Sequence, residues 1–286
     1  MEAAFFDLDK TVIAKASMLA FGGSFYKEGL ISRRTVLRTL FAQAVYLHLG
    51  ASDARLAQLR ESALALIKGW DQNRVRSVVE EAMDRVVAPI VYREALDLIE
   101  AHKAAGRFVV IVSAAPEEIV LPLGRHLGAH ASIASRPRVG DDGRYTGEME
   151  LYAYGPFKAE AMGDLAAKMD IDLQNSYSYS DSYTDVPMLE AVGHPVVVNP
   201  DRVLNRLARE RGWEVRQFRR QVRMAPDSNS TGRSPLAGRV AGAVASAVAA
   251  AVVGRYLGKK RPSVWHAGAA RVPSPRRTVA ARSARR

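Results

Sequence analysis

Asp7 and Asp9 close a short apolar run at residues 3–8, followed at once by Lys10 and Thr11. Carboxylates at i and i+2 point to the same side of a continuing strand. Where the strand gives way to a turn they can instead converge on the crevice beyond the strand ends, where open α/β sheets bind ligands. Two acids so close repel each other unless a cation or hydrogen bonds hold them, so the pair itself points to a metal. The competing reading is a polar strand-to-loop junction that happens to contain two acids. For an isolated D-x-D that reading wins, and the apolar strand ahead of it shifts the balance.

Three further positions have suitable chemistry. Ser113 ends the run RFVVIVS, and a hydroxyl there, followed by backbone N–H groups entering a helix at Glu117, suits phosphate oxygens. Serine at a strand end is more often a helix cap. Lys158 follows Gly155, Pro156 and Phe157 at a helix start, an end whose dipole prefers acids, so an anionic partner is expected nearby. A solvated surface lysine is the plainer alternative. Asp181 stands at the end of another strand with no capping geometry to account for it, whereas Asp185, four positions on, can simply cap the next helix.

These residues need a scaffold, and the chain supplies alternating elements. Strands are expected at residues 3–8, 107–113, 131–135, 176–180 and 195–198. Helices are expected at 89–105 (ended by Gly106), 157–169 and 187–192, and Asp141, Asp142 and Gly143 mark a hairpin turn. Strands alternating with helices argue for an α/β fold with a doubly wound parallel sheet. Residues 17–87 instead carry helical spacing, as in Leu37, Leu40, Phe41, Ala44 and Val45, and are read as an inserted cap of roughly four helices. The organisation is therefore a core at 1–14 and 88–218, a helical cap at 15–87, and a tail at 219–286.

The tail dominates the charge. From Arg219 onward there are 15 Lys/Arg and one acid, Asp227, which leaves 26 basic and 29 acidic residues ahead of it. The body is thus mildly acidic, and the net charge of +11 describes the tail rather than a DNA-binding body. With no cysteine, disulfides and thiol chemistry are excluded. Residues 225–238 read as a linker, and the last 25 residues as disordered. The Ala/Val-rich stretch 240–253 is too short to span a bilayer, which takes about 20 residues. It is read as a marginal helix or disordered segment. A membrane-touching helix helped by Lys259, Lys260 and Arg261 is the sharper alternative. Glu2, the lack of a basic start and the brevity of the first apolar run argue against a signal peptide, so a cytoplasmic location is expected, with peripheral membrane association through the tail as a variant.

Taken in order, D-x-D-x-T at Asp7–Thr11, a serine ending a later strand, a lysine, and D-x-x-x-D at Asp181 and Asp185 resemble the haloacid dehalogenase (HAD) superfamily over about two-thirds of the chain. The helical insertion is similar to that superfamily's type-1 cap. Tyr145 to Glu148 and Ser180 to Leu189 are similar to its IB subclass, related to phosphoserine phosphatase. The resemblance implies a phosphomonoester hydrolase in which Asp7 becomes transiently phosphorylated and Asp9 acts as general acid and base. It implies Mg²⁺ held by Asp7, the Asp9 carbonyl and Asp181, with Asp185 supporting from the edge. Lys158 and Ser113 would position the phosphoryl oxygens, and Thr11, on the same side, would support the loop by hydrogen bonding. One position departs from the pattern. The glutamate that follows the nucleophile by nine positions in phosphoserine phosphatases is Ala16 here, beside Lys15 and Ser17. A lysine repels an ammonium and suits an anionic or neutral leaving group. The cap arginines Arg33, Arg34 and Arg38 are read as solvated surface residues.

The expected partner is a small phosphorylated metabolite, phosphoserine-like or another alcohol phosphate. A membrane-associated phosphatase of lipid or lipid-precursor phosphates is the second expectation. A non-catalytic protein binding an anionic membrane surface through its tail is the third. Nucleic acid ranks last, because nothing beyond charge supports it.

Overall fold

The computed structural model describes residues 1–32 and 61–222. Most of the expected cap, including Arg33, Arg34 and Arg38, lies outside the described residues, as do the linker and the 240–253 segment.

Two strands set the centre of the molecule. β1 (Ala3–Asp7) is buried along its whole length. β2 (Phe108–Pro116) is a β-branched run beside it, the composition expected of a parallel strand covered on both faces. They belong to a seven-stranded sheet whose other members are β3 (Ala131–Val139), β4 (Tyr145–Leu151), β5 (Tyr177–Ser180), β6 (His194–Val198) and β7 (Glu214–Arg216), in the order β4-β3-β2-β1-β5-β6-β7. All neighbours run parallel except the β3–β4 hairpin. From β1 the chain goes first to β2 and β3 on one side, then to β5, β6 and β7 on the other. The C-terminal end of β1 is therefore the topological switch point, where a crevice opens between strands.

Helices cover both faces. Ala4 and Phe6 of β1, with Val109 and Ile111 of β2, pack against Ala95 and Ile99 of α3 (Arg93–Ala104) and Ile119 and Leu123 of α4 (Glu117–His126). The same core continues into Phe21 and Phe25 of α1 (Ser17–Lys27) and Val75 and Val79 of α2 (Gln72–Val87). Ala3, Phe5, Val110 and Val112 face the other way, onto Met162 and Ala166 of α5 (Pro156–Met169) and Met188 of α6 (Val186–Glu190). The period-2 alternation of one strand thus feeds two separate cores. Leu204 and Ala208 of α7 (Arg202–Arg211) pack on Val197 and Leu189 beyond them.

Several boundaries differ from the sequence reading. The helix expected at 89–105 is broken: residues 88–90 form a 3-10 turn, and Val91 and Tyr92 are extended before α3 begins. The reason is tertiary. Ala14 N–H donates to Ile90 and Tyr92 N–H to Val12, so this stretch pairs with the loop that follows Asp9. Residues 219–222, assigned by composition to the tail, also pair with the body. Arg93 N–H donates to Arg220, and Val222 N–H to Val91. The sequence reading placed nothing at α7 or β7.

Candidate active site

Strand register brings the carboxylates together. Asp7 is level with Val112 of β2, and Phe6 is level with Tyr179 of β5. One residue further along each neighbour stand Ser113 and Ser180, so Ser113, Asp7 and the segment from Ser180 to Asp185 share one edge of the sheet. After Asp7 the chain leaves the sheet in a tight turn, with Val12 and Ile13 N–H both donating to the Leu8 carbonyl at 3.0 Å. Lys10 takes φ 65° within it.

Lys158 meets this edge from α5. Gly155, at φ 56°, turns the chain into the helix, and Pro156 occupies its first turn with φ already suited. Lys158 is 3% exposed. Its Nζ donates to Asp7 Oδ1 at 2.6 Å and to Asp185 Oδ2 at 2.8 Å. The anionic partner expected from the helix start is therefore present. Asp185 stands at the N-cap position of α6 but its side chain caps nothing among the described residues, so the simple capping reading fails. Its Oδ2 accepts from Ser180 Oγ at 2.7 Å and from Lys158.

Two expectations need correction. Ser113 does not end its strand: β2 runs on to Pro116, with an irregularity in its pairing to β3 between Ser113 and Pro116. β3 is longer than expected as well, because its far half pairs with β4, and the extra residues give β2 something to pair with. Ser113 Oγ accepts from Ala115 N–H at 3.1 Å. Thr11 is fully buried, but its Oγ1 has no hydrogen-bond partner among the described residues, so the loop is supported by main-chain bonds instead.

The electrostatics divide the acids. Burial pushes the Asp7 carboxyl well above the ordinary range; Lys158 opposes this, and Asp185 and Asp181 add to it. Asp181 is pushed up to about 7, again mainly by burial. Asp9 is raised by burial against hydrogen bonds from Ser17, whose amide donates to Asp9 Oδ1 at 2.8 Å. Lys158 behaves oppositely. Burial works against its charge, but Asp7 and Asp185 more than reverse this, so its pKa is raised.

A hard divalent cation fits this donor set. Every available donor is a carboxylate or carbonyl oxygen, and one buried ammonium faces several buried acids. No three His, Asp or Glu side chains among the described residues are already drawn together as a metal cage. Lys158 holds Asp7 and Asp185 in the geometry seen here.

Two supporting residues escaped the sequence reading. Asp201 caps α7 through Val203 and Leu204 N–H, and also accepts from Tyr183 N–H at 3.1 Å, while its own N–H donates to the Asp181 carbonyl. It ties the acidic loop to α7, and an aspartate ahead of an amphipathic stretch was the available signal. Glu118, buried at the start of α4, was the other, and only its burial reveals it.

The sheet order, with a carboxylate-rich edge at the switch point, belongs to a known class. The pattern of the haloacid dehalogenase-like hydrolase family matches residues 4–190, and this chain is a member of that family. Within it the chain is phosphoserine-phosphatase-like and a phosphatase. It is 54% identical over 222 residues to the "Inhibition of morphological differentiation protein" of Streptomyces azureus, covering 78% of this chain and 80% of the relative. It is 51% identical over 220 residues to a probable phosphatase of Mycobacterium tuberculosis, covering 77% and 76%. A phosphoserine phosphatase of the same organism is 37% identical over 221 residues, covering 76% and 71%. Among solved structures, a protein of unknown function from Bordetella pertussis Tohama I superposes with a TM-score of 0.66 at 30% identity, covering 75% of this chain and 97% of that one.

Proposed function

We propose that the protein hydrolyses a small phosphomonoester, with Mg²⁺ bound, through a phosphorylated Asp7. The observation that carries this reading is the Lys158 ammonium held between Asp7 and Asp185 at 2.6 and 2.8 Å in a buried crevice. A fixed cation beside a carboxylate at a switch point suits a reaction whose main demand is neutralising phosphoryl charge.

In the proposed sequence an Asp7 carboxylate oxygen attacks phosphorus as the ester P–O bond breaks. Asp9 gives its proton to the departing alcohol oxygen. Its raised pKa, caused by burial, favours the protonated form this step needs. Asp9 then takes a proton from water as the water oxygen attacks phosphorus, releasing phosphate and restoring Asp7. Lys158, Ser113 and Thr11 are assigned to the phosphoryl side. Asp7, the Asp9 carbonyl and Asp181 would hold Mg²⁺, with Asp185 at the edge, and the ion would supply the remaining positive charge on the phosphoryl oxygens.

The insertion and Asp9 lie toward the leaving group. Residues 15–87 are proposed as the cap of a core at 1–14 and 88–218. Among the described residues no helix is long and apolar enough to cross a membrane, and a lipid phosphate remains a second reading supported by the basic tail alone.

The test is Mg²⁺-dependent phosphate release from a panel of phosphomonoesters by the wild type and Asp7→Asn. Turnover that needs Mg²⁺ and disappears in Asp7→Asn is expected. Activity surviving in Asp7→Asn would remove the nucleophile assignment.

A further inference from the structure

We propose that a small enclosed pocket between α1, α2 and the start of α4 reads the leaving group, with Glu118 accepting a hydrogen bond from a primary ammonium carried by it. The proposal rests on the phosphatase reading above and names its substrate class: phosphomonoesters of amino alcohols.

The pocket is walled by Met18, Phe25, Trp70, Pro116, Glu118 and Tyr145 among others. Its place in the chain puts it beside Asp9. Met18 follows Ser17, whose amide holds Asp9 Oδ1. Pro116 and Glu118 follow Ser113 on the same strand-to-helix turn. The group assigned to protonate the departing oxygen and the phosphoryl-side serine therefore flank it.

Glu118 is the polar anomaly in this wall. It is 2% exposed, and its Oε1 accepts from Gln72 Nε2 at 2.7 Å. That bond pins α2 to the body and accounts for one oxygen. Oε2 is fully enclosed and has no hydrogen-bond partner among the described residues. A buried carboxylate oxygen left without a donor is costly, so a native structure that keeps one calls for a ligand or a reason. The neighbouring Arg76 is no remedy, since it reaches Glu117 instead, at 3.9 Å.

Size and lining narrow the ligand. The enclosed space is only ≈ 20 Å³. That is room for about one water-sized group. An –NH₃⁺ head is of that size and brings three donors. A trimethylammonium head is several times larger. The Phe25 and Trp70 rings, with centroids 5.9 Å apart, add faces that attract a cation. Lys15, which set the sequence reading against an ammonium, is exposed and forms no part of the wall.

The experiment compares kcat/KM of the full chain for 2-aminoethyl phosphate, its neutral isostere n-propyl phosphate, and phosphocholine. The wild type is expected to prefer 2-aminoethyl phosphate over both by roughly 10- to 100-fold, the range of a hydrogen bond to a charged group. Glu118→Gln should collapse the 2-aminoethyl to n-propyl ratio to about one. A purely structural Glu118 would lower both substrates together and keep the ratio, which would overturn the proposal. So would a wild type that shows no preference, or one that favours phosphocholine, and those readings need no variant to fold. A second measurement, tryptophan fluorescence titrated with ethylammonium and with n-propanol, requires no turnover. Saturable ethylammonium binding that Glu118→Gln removes, without hydrolysis of any ester, would keep the pocket and remove the phosphatase reading. Equal hydrolysis of the 2-aminoethyl and n-propyl esters would do the reverse.

Discussion

Lys158 and Asp7 are 151 positions apart in the chain, yet Nζ donates to Oδ1 at 2.6 Å with both side chains almost fully buried. The contact joins the end of β1 to the first turn of α5 across the crevice. Asp185 completes it from the opposite side of the ammonium, at 2.8 Å.

Lys158→Met removes the only cation in direct contact with these two carboxylates among the described residues. Losing one partner of a buried ion pair costs about 3–5 kcal/mol. Urea unfolding at pH 7.5 should show a loss of that size, and the loss should shrink at pH 5 as the raised acids protonate. Phosphate release should fall to background in the same variant. A fully stable variant at pH 7.5 would mean that the pair is not buried as described.

Ser180→Ala removes the Ser180 Oγ donor from Asp185 Oδ2, a 2.7 Å bond, and leaves the Lys158 bond in place. Outer hydrogen bonds that orient a metal-ligating carboxylate are worth about 10- to 100-fold in affinity or activity. Isothermal titration with Mg²⁺ should show weakening in that range, with little change in the melting temperature. Unchanged Mg²⁺ affinity would place Asp185 outside the metal's surroundings.

His102 gives a pH signature separate from catalysis. It is 5% exposed, its Nε2 pairs with Tyr179 Oη at 2.8 Å, and burial lowers its pKa to about 4. The unfolded chain, with an ordinary value near 6.5, binds a proton that the folded chain refuses between those values. Stability is therefore complete above pH 6.5 and declines as pH falls toward 4, by about 2–3 kcal/mol from this one group. His102→Gln should flatten that part of the stability profile. An equal slope in the variant would assign the loss to other groups.

Gly193→Ala tests the packing between the 3-10 turn at 173–175 and β6. A Cβ at Gly193 would sit against the Gln174 carbonyl, and main-chain atoms cannot rotate away as a side chain can. The Gly193 N–H also donates to Leu173 at 3.0 Å, which fixes the approach. Overpacking of this kind costs about 1–3 kcal/mol. Thermal unfolding should show the loss, while a wild-type melting temperature would mean that the turn can move.

The residue types and their order were legible without coordinates. An apolar strand ending in Asp7 and Asp9, the β-branched run before Ser113, Lys158 behind Gly155 and Pro156, and the strand into Asp181 are local patterns. Period-2 burial, glycine and proline chemistry, and the helix dipole act within a few residues and leave their mark on composition. The break before α3 was not legible, because Ile90 and Tyr92 are held by Ala14 and Val12, far away in the chain.

The tertiary structure decided what the side chains do. Sequence left Asp185 as a cap and Lys158 as a surface residue among its alternatives. The sheet order β2-β1-β5 turned both into partners at one edge. Thr11 was expected to hydrogen bond and does not, and Glu118 drew no notice until its burial and its unmatched oxygen were visible. Local periodicity fixes which residues point into a core, since that depends on a repeat of 2.0 or 3.6 residues. Which side chains then meet depends on strand order and register, set by packing over the whole chain, and no window of neighbouring residues encodes it.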